Sequence, residues 1–314
     1  QKSNLGLILS LKSRMKASGS EVLISFLSGA NIKSCCAHFL YPHFKLIVSE
    51  RNFSLKPNIG DRFRHFLYRQ ACRIVCNNYS QEEYIRALTP SLAAKLTTVP
   101  NFVDLETFSP AVDPSAKNDV SGAGIPLTVV TTARLCRRKN ALGLIEAARI
   151  LKSRGCTDIR FRWYGHLGAD TDSYYRQCVN LIADLNLGDM FEIHQAVHEV
   201  APLYRSADIF CLPSFYEGTS NSIAEALACG IPVAVSAVSD NSRYVHEGES
   251  GVLFNPNAPE SIAEALIKLA SMTAAERTAL GVAGRRIVSA ELSPAAFNER
   301  WGRIISQIAK EDER

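Results

Sequence analysis

The feature of this sequence that most constrains its fold is a regular alternation of short apolar runs and amphipathic helical patterns that starts at Leu127. Residues 127–135 are rich in β-branched side chains, which predicts a strand, and residues 141–152 carry apolar side chains at helical spacing, which predicts a helix. Strands that alternate with helices pair in parallel through crossover connections. The alternation therefore predicts an α/β fold with a doubly wound sheet.

The same alternation continues toward the end of the chain. It predicts strands at residues 159–164, 191–194, 209–213, 232–237 and 252–254, and helices at residues 174–187, 200–206, 221–228 and 259–271. Thr273 and Glu276 have the spacing of a capping box. Ser293 followed by Pro294 is typical of an N-cap and a first helical turn. Two further helices are therefore expected after residue 272.

The first 108 residues carry a similar but shorter pattern. It predicts helices at residues 5–15 and 62–74, and strands at residues 21–26, 44–49 and 97–100. An open α/β domain normally begins with a strand and a ligand-facing loop, whereas this sequence begins with a helical pattern and its first residue is not Met. We therefore expect a first domain that is incomplete at its start, in a processed or fragmentary chain.

The region between these two blocks, residues 109–126, is rich in Pro, Gly, Ser and Asp and shows neither helical nor strand periodicity. Such a composition is typical of an interdomain linker. The predicted organisation is thus a first domain at residues 1–108, a linker at 109–126, a second domain at 127–292 and a terminal helical segment at 293–314.

Composition excludes several classes of protein. A charged fraction of 21% with 46% hydrophobic residues is ordinary for a globular protein, no apolar run is long enough to span a membrane, and the start lacks the pattern of a secretory signal. The nine cysteines are scattered and odd in number, which favours free thiols in a reducing cytoplasm over disulfides or zinc ligands. The net charge of +4 suits an anionic ligand or an anionic membrane face, and many other proteins share it.

The turn after the strand predicted at 127–135 is strongly basic. Arg134, Arg137, Arg138 and Lys139 fall within six residues, just before a predicted helix. Ligands of open α/β sheets bind beyond the carboxyl ends of the strands, and helix N-termini favour anions. The turn therefore predicts a site for a strongly negative group such as a diphosphate. The alternative is a solvated basic turn.

A second loop, after the strand predicted at 209–213, combines carboxylates with a helix start. Glu217 precedes Gly218, which permits a tight turn, and Glu225 follows eight positions later on the predicted helix. Backbone N–H groups at the start of that helix have no intrahelical partner. A nucleotide sugar needs an acceptor for its sugar hydroxyls, donors for its diphosphate and an acceptor for its ribose. Two solvated glutamates are the alternative interpretation.

Together with residues 226–233, this loop resembles the signature of glycosyltransferase family 4, in which a Glu, seven residues, a second Glu and a Gly-x-Pro-Val strand follow one another. Three further segments are similar to the family's motifs: residues 99–104 with Phe108, residues 133–135 with Lys139, and residues 247–253. The resemblance covers about residues 99–254. It implies a GT-B fold, with two Rossmann-like domains facing across a cleft, the first incomplete here and on the acceptor side, and the last helix crossing back to it.

The resemblance also implies an activity and roles for individual residues. The activity is retaining transfer of a sugar from a UDP- or GDP-sugar to a glycan or lipid-linked saccharide. Arg134 and Lys139 would bind the donor diphosphate, and Glu217 would contact the transferred sugar. The other implied donor contacts are Gly165, Ala196 and Val197 near the base or sugar, Gly218, Thr219, Ser220 and Asn221 at the phosphates, and Glu225 at the ribose. Residues His166, Leu167 and Gly168 depart from the family, which commonly has a second Gly there.

A second set of residues is similar to members that extend lipid-linked bacterial glycans. These acceptor-side residues are Ser49, Glu50, Arg51 and Asn52. The family's initial Gly-rich loop is not found, so we expect the chain to bind donor but to transfer poorly. Because Arg134 and Lys139 lie in a loop, we expect their alanine variants to stay folded.

The resemblance implies a reaction without metal or other cofactor. No Asp-x-Asp pair follows a predicted strand, and Asp170-Thr171-Asp172 precede a helical pattern, where they are typical of a cap. Arg134 and Lys139 can stabilise the charge that develops on the leaving diphosphate.

Two other functions stay open: a truncated, non-catalytic relative that binds nucleotide sugar, and a nucleotide-sugar epimerase of the same fold. A dehydrogenase is disfavoured because no Gly-x-Gly-x-x-Gly follows a strand. The basic helix predicted at 62–74 either contacts anionic lipid or has an ordinary solvated face. We expect a cytoplasmic protein, peripheral to the inner face of the membrane if the helix binds lipid, with no nucleic-acid partner.

Overall fold

The computed structural model of the chain describes residues 3–51, 59–111, 126–168 and 171–310. Contacts between Cα atoms divide the chain into two units. The first unit comprises Gln1–Asn101 with Phe297–Arg314, and the second comprises Phe102–Ala296. Among the described residues, no helix is both long and apolar enough to cross a membrane.

The first unit is built on a parallel sheet whose four strands follow one another in chain order. The strands are β1 (Val22–Phe26), β2 (Lys45–Glu50), β3 (Arg73–Cys76) and β4 (Leu96–Thr98). The helices are α1 (Asn4–Ser18), α2 (Ser28–Leu40), α3 (Ile59–Tyr68) and α4 (Tyr79–Leu88), and a 3₁₀ helix at Pro90–Lys95 leads into β4.

Side chains of this sheet alternate between two apolar clusters, as the period of a strand requires. Leu46 and Val48 of β2 pack in one cluster with residues of α1, α2 and α3. Ile47, which lies between them, packs in the other cluster with Trp301 and Ile304. Those two residues belong to the last helix of the chain, α12 (Pro294–Lys310).

One prediction for this unit is wrong in its second half. The helix expected at residues 62–74 ends at Tyr68, and Arg73–Cys76 is the buried strand β3. A short apolar run does not distinguish a buried strand from a buried helical segment, so periodicity missed the change. Helices α2 and α4 were not predicted. The helix at 5–15 and the strands at 21–26, 44–49 and 97–100 are confirmed to within a few residues.

The second unit contains a six-stranded parallel sheet in the order β10-β9-β8-β5-β6-β7. Its strands are β5 (Leu127–Thr132), β6 (Ile159–Gly165), β7 (Phe191–Gln195), β8 (Ile209–Leu212), β9 (Val233–Ser236) and β10 (Gly251–Phe254). Its helices are α5 (Ala141–Ser153), α6 (Asp172–Asp184), α7 (Ala201–Ser206), α8 (Asn221–Ala228), α9 (Asn241–Tyr244), α10 (Pro259–Ala270) and α11 (Ala274–Glu291). Except for the four-residue α9, each of these elements was predicted.

The strand order has one consequence for function. The chain runs outward from β5 through β6 to β7 and then returns to β8, which pairs with β5 on its other side. The point between β5 and β8 is therefore the topological switch point, where ligands of open α/β sheets bind. The loops that follow β5 and β8 leave the sheet side by side there.

The core of this unit also has two faces. Val129 of β5 packs with Leu144 and Leu266, from α5 and α10. Its neighbour Val130 packs on the opposite face with Ile223 and Leu227 of α8.

Of the predicted helix caps, those of the last two helices are present. Thr273 and Glu276 form the reciprocal hydrogen bonds of a capping box, and Ser293 Oγ accepts from the backbone N–H of Ala296 at 3.2 Å. At the cap predicted for residues 170–172, Thr171 is the N-cap of α6 but makes no side-chain capping hydrogen bond, and residue 170 lies outside the described residues. All nine cysteines are free, five of them buried, which confirms the prediction of unpaired thiols.

The division between the units lies at Asn101, seven residues before the boundary predicted at 108. Residues 102–108 join the second unit because the Val103 N–H donates to the Leu292 carbonyl at 2.8 Å and the Phe108 ring packs on Tyr204. Most of the predicted linker, residues 112–125, lies outside the described residues. The expectations of an incomplete first domain and of two domains facing across a cleft stay predictions.

Candidate functional site

Two loops of the second unit meet at the switch point. The β5–α5 loop carries the basic turn, and the β8–α8 loop carries Glu217. The Phe215 N–H donates to the Arg138 carbonyl at 2.9 Å and ties the two loops together. The parallel pairing of β5 with β8 thus brings together segments that lie about 80 residues apart in the chain.

Local backbone geometry sets the position of Lys139. Residues Arg137–Lys139 form a single 3₁₀ turn, and Asn140 follows in the left-handed region with φ 60°. Asn tolerates this region better than most residues. Its Oδ1 accepts from the Gly143 N–H at 3.2 Å and caps α5, and its Nδ2 donates to the Pro256 carbonyl at 2.9 Å. Lys139 is thereby held between a tight turn and a capped helix.

Lys139 and Glu217 form a buried ion pair. Lys139 Nζ donates to Glu217 Oε1 at 2.5 Å, and the two side chains are 11% and 5% exposed. An Arg138 guanidinium nitrogen lies 3.7 Å from Glu217 Oε2, and the same guanidinium stacks over the Tyr216 ring. Desolvation makes buried ion pairs poor sources of stability. Two cations on one carboxylate leave a positive excess that suits an anionic ligand.

The second carboxylate, Glu225, lies on α8 and is held by a hydroxyl relay. Tyr204 OH donates to Glu225 Oε2 at 2.8 Å, and the Thr132 hydroxyl lies 2.6 Å from the same Tyr204 oxygen. Since the Tyr204 proton is engaged with Glu225, Thr132 donates to Tyr204. Burial raises the pKa of Glu225, and the Tyr204 hydrogen bond partly offsets that rise. Its place on α8 and the hydrogen bond from Tyr204 hold the Glu225 carboxylate beside the end of β5, where it can accept further hydrogen bonds.

The start of α8 supplies backbone donors between the two carboxylates. Gly218 and Thr219 lead into Ser220, whose side chain makes no capping hydrogen bond to the helix. The N–H groups of the first helical turn have no intrahelical acceptor and favour an anion. Thr219 is buried, Ser220 is half-buried and Asn221 is exposed. Asn241 and Tyr244 of α9 line a small cavity with Gly218 and Ser220.

Gly165, at the end of β6, packs directly under the basic turn. A Cβ at this position would overlap the Ala133 carbonyl oxygen, which also accepts from Trp163 Nε1 at 2.9 Å. The Ala196 N–H donates to the Gly165 carbonyl at 2.9 Å. The structure therefore brings Gly165 and Ala196 to the same edge as exposed Arg134. Val197, 41% exposed, follows Ala196 beyond β7.

The predicted acceptor-side residues lie in the first unit, at the carboxyl end of β2. Glu50 has no solvent exposure and accepts from Tyr68 OH, from Asn31 Nδ2 at 3.3 Å and from Ser28 Oγ at 3.4 Å. Burial raises its pKa. A carboxylate so enclosed organises the interior of the unit, and the acceptor-side role of Glu50 stays a prediction.

The neighbours of Glu50 are arranged differently. Arg51 is half-buried and donates to Asn101 Oδ1 and, at 3.2 Å, to Ser49 Oγ. Its guanidinium lies over the Phe26 ring. Ser49 is buried, and Asn52 lies outside the described residues.

Several residues of the site were not predicted. Tyr204, Ser239, Asn241 and Tyr244 border the Glu217–Glu225 segment, and the Ser239 hydroxyl accepts from the Glu217 N–H at 3.3 Å. They come from α7 and the segment after β9, and their sequence surroundings carry no motif. In the described part of the chain no group of three or more His, Cys, Asp or Glu is placed to hold a metal ion.

Comparison with known proteins gives a family for this site. Residues 126–272 match the family model described as glycosyl transferases group 1. UDP-Gal:alpha-D-GlcNAc-diphosphoundecaprenol alpha-1,3-galactosyltransferase of Escherichia coli is 30% identical over 201 residues, 63% of this chain and 51% of that protein. D-inositol 3-phosphate glycosyltransferase of Pseudarthrobacter chlorophenolicus is 28% identical over 212 residues, 67% and 50% of the two chains. The chain spans about half the length of these curated relatives.

Solved structures extend the likeness to both units. Sucrose-phosphate synthase from Thermosynechococcus elongatus aligns with a TM-score of 0.82 at 20% identity, over 98% of this chain and 78% of that one. Anabaena HepE in complex with UDP and glucose also aligns with a TM-score of 0.82, at 16% identity over 96% of this chain and 81% of that one. At these identities the likeness concerns the fold. The chain has the GT-B fold, and its residues 126–272 match the model of the glycosyl transferases group 1 family.

Proposed function

We propose that the chain is part of a retaining glycosyltransferase that moves a sugar from a nucleotide-diphosphate sugar to a lipid-linked or other glycan acceptor. The observation that carries the proposal is the positive excess of Lys139 and Arg138 around Glu217, beside the N-terminus of α8 and the fixed carboxylate of Glu225. The name of the E. coli relative specifies a UDP-sugar, a diphosphoundecaprenol-linked acceptor and an alpha linkage, and supports this choice of substrates.

In the proposed complex, the donor enters between the two carboxylates. Its diphosphate lies on the N–H groups of α8 and on Lys139 and Arg134. The ribose hydroxyls donate to Glu225. The diphosphate competes with Glu217 for Lys139, and Arg138, 3.7 Å from Glu217, retains that carboxylate while it accepts from a hydroxyl of the sugar.

The reaction breaks the bond between the anomeric carbon and the diphosphate oxygen. The acceptor hydroxyl oxygen bonds to that carbon on the face from which the diphosphate leaves and gives its proton to the departing diphosphate oxygen. The nucleoside diphosphate departs with the bonding electrons, so the configuration at the anomeric carbon is retained. The negative charge that develops on the leaving oxygen is stabilised by the preorganised cations Lys139 and Arg134. Nine unpaired cysteines support a reducing compartment such as the cytoplasm as the place of the reaction.

Calorimetry with UDP, followed separately by analysis of donor and product, tests this function. We expect wild type to bind UDP, and Lys139→Ala and Arg134→Ala to weaken binding and to slow transfer about 10²–10³-fold. Arg154→Ala, at an exposed arginine after α5, is the matched control. UDP affinity unchanged in both site variants would exclude this anion site. Donor consumed without an acceptor product would indicate an epimerase, and binding without consumption a non-catalytic relative.

We also propose that transfer needs no metal ion. The support is Lys139 and Arg134, two cations that would neutralise the diphosphate in the proposed complex. Mg²⁺ has this task in many other phosphate-binding sites. EDTA is expected to leave UDP affinity and any transfer rate unchanged. Loss of activity in EDTA that Mg²⁺ or Mn²⁺ restores would refute metal independence while leaving the donor site intact.

A further inference from the structure

Helix α3 of the first unit shows an apolar face to solvent. Ile59, Phe63 and Phe66 follow one another at spacings of four and three residues, so they share one side of the helix. They are 87%, 57% and 60% exposed. A contiguous exposed face of large apolar side chains marks a contact surface. We call Ile59, Phe63 and Phe66 the apolar face of α3.

The opposite side of the same helix is polar and buried. Asp61, His65 and Tyr68 each lie two residues after a member of the apolar face, about 200° around the helix, and are at most 2% exposed. Each has an acceptor or donor inside the unit. Arg64 donates to Asp61 Oδ1 at 2.8 Å, His65 Nδ1 lies 2.9 Å from Thr89 Oγ1, and Tyr68 OH donates to Glu50.

This arrangement reverses the usual amphipathic pattern, in which the apolar stripe faces the core. The buried polar contacts fix the rotation of α3, because turning the apolar face inward would break all of them and leave Glu50 buried without Tyr68. The apolar face is therefore held outward by the interior of the unit.

The charge around the apolar face is positive. Arg62 is exposed on α3, Arg69 is exposed in the turn that follows the helix, and the Arg69 guanidinium lies over the Phe66 ring at 5.5 Å. Residues 1–101, the first segment of this unit, contain fourteen Lys and Arg against five Asp and Glu, and two of those five acids, Glu50 and Asp61, are buried. The rest of the chain contains 21 basic and 26 acidic residues. A second copy of the chain would oppose positive charge with positive charge, whereas an anionic surface complements it.

We propose that the apolar face of α3 docks the protein on an anionic lipid bilayer, with Ile59, Phe63 and Phe66 in the boundary between headgroups and acyl chains. Arg62 and Arg69 contact lipid phosphates, as basic residues beside an inserted apolar face do. Arg64, midway along α3, lies 3.6 Å from Glu50, the last residue of β2, so the middle of α3 lies beside the carboxyl end of the strand that Arg51 follows. Docking would set the carboxyl end of β2 beside the membrane that a lipid-linked acceptor occupies. In that respect the proposal rests on the proposed function.

Co-sedimentation of the whole chain with vesicles tests the docking surface. The probes are vesicles of phosphatidylcholine and vesicles of equal parts phosphatidylcholine and phosphatidylglycerol. We expect wild type to bind the mixed vesicles far more tightly than the neutral ones. Phe63→Ser with Phe66→Ser lowers the partition coefficient about tenfold or more through lost apolar burial. Arg62→Gln with Arg69→Gln lowers it about tenfold on mixed vesicles only. The matched control is Val282→Ser with Arg286→Gln, an exposed apolar and basic pair on α11.

Three results would overturn the docking surface: no binding of wild type to either vesicle, wild-type binding by the phenylalanine double variant, or an equal loss in the control. A wild-type oligomer that the phenylalanine variant dissociates, without vesicle binding, would assign the face to self-association instead. UDP calorimetry on the same variants separates this proposal from the proposed function. Vesicle binding without UDP binding rejects only the function, and UDP binding without vesicle binding rejects only the docking.

Discussion

Glu217 lies between two cations, and that position decides how its neighbours respond to substitution. Removing one partner of a buried ion pair typically costs about 3–5 kcal/mol, because the remaining charge stays buried and unpaired. Arg138, 3.7 Å from the other carboxylate oxygen, remains near Glu217 and reduces this cost. The expectation that Lys139 is dispensable for folding because it lies in a loop is therefore not supported, whereas exposed Arg134 keeps that expectation.

Lys139→Ala is predicted to lower the free energy of unfolding by about 2–3 kcal/mol, since Glu217 loses its closest partner. Arg134→Ala is predicted to change it by less than about 0.5 kcal/mol, as exposed substitutions usually do. Urea denaturation of Lys139→Ala, Glu217→Gln and the double variant measures the coupling between the two side chains. Strictly additive effects in this cycle would show that the pair contributes no mutual stabilisation.

Gly165→Ala is predicted to destabilise the second unit by about 1–3 kcal/mol, because its Cβ would overlap the Ala133 carbonyl oxygen and force the basic turn to shift. The same shift should weaken UDP binding. Gly188→Ala is the matched control, since no atom lies within 4 Å of its Cβ position. Denaturation and UDP titration of both variants check the prediction, and equal stability of the two would contradict the close approach.

At the scale of elements, glycines decide where helices of the second unit pack most closely. A Cβ at Gly281 of α11 would overlap the Gly230 carbonyl oxygen, which follows α8, and Gly230 itself has φ 72°. Gly302 of α12 has open space around its Cβ position. Close packing therefore requires a glycine at position 281 but not at position 302, although both residues lie inside helices.

Gly281→Ala is accordingly predicted to destabilise by about 2 kcal/mol or more, because backbone on both sides must move. Gly302→Ala is predicted to stabilise by up to about 1 kcal/mol, because Ala is the better helix former and meets no obstacle. Thermal or urea unfolding of the pair measures both signs. Stabilisation by both substitutions would mean that α11 and the Gly230 turn separate without cost.

Burial of the polar side of α3 predicts a pH dependence for the first unit. Burial, with a smaller effect of Arg64, lowers the pKa of His65 from 6.5 to about 4, although Asp61 partly offsets this. Between these pH values the unfolded chain binds a proton that the folded chain excludes, so stability falls as pH drops from 6.5 to 4. The loss amounts to at most about 3 kcal/mol, at about 1.4 kcal/mol per pKa unit.

His65→Asn keeps an amide group near Thr89 and removes this titration, so its stability should fall less over the same pH range. Fluorescence of Trp301 in a Trp163→Phe background follows the first unit during urea unfolding. His246→Asn, at an exposed histidine of the second unit, is the matched substitution. A wild-type pH slope in His65→Asn would assign the acid sensitivity to another group.

At the scale of the whole molecule, the two units carry different chemistry. The candidate donor site lies entirely in the second unit, and the basic, apolar surface of α3 lies in the first. A ligand that binds only the folded second unit stabilises that unit by mass action, by about 2.7 kcal/mol at a hundredfold excess over Kd.

Hydrogen exchange with and without UDP should therefore slow most at residues 133–140 and 214–225, which carry the proposed phosphate and ribose contacts. Strands β2 and β3 of the first unit are the internal reference. Slowing that is strongest elsewhere in the second unit, for instance around Arg205 and Arg277, would place the nucleotide in another site. Arg134→Ala, which is expected to stay folded, should reduce the UDP effect on the first segment.

The sequence by itself determined most elements of the second unit and the residue types of its site. Buried parallel strands are short β-branched runs and their covering helices have one apolar stripe, and both signals are local. The basic turn and the Glu217–Glu225 loop were also recognisable locally, because each follows a strand and precedes a helix.

Only the tertiary structure decided which of these residues meet. The strand order places β8 beside β5, so Lys139 and Glu217 form an ion pair across 78 residues, and Tyr204 reaches Glu225 from another helix. In the first unit the period of α3 was visible, but which side faces inward was not. Arg64 and His65 turn inward because Glu50, Asp61 and Thr89 supply polar partners there, and hydrogen bonds and charge pairing between distant residues outweigh the burial of three apolar side chains.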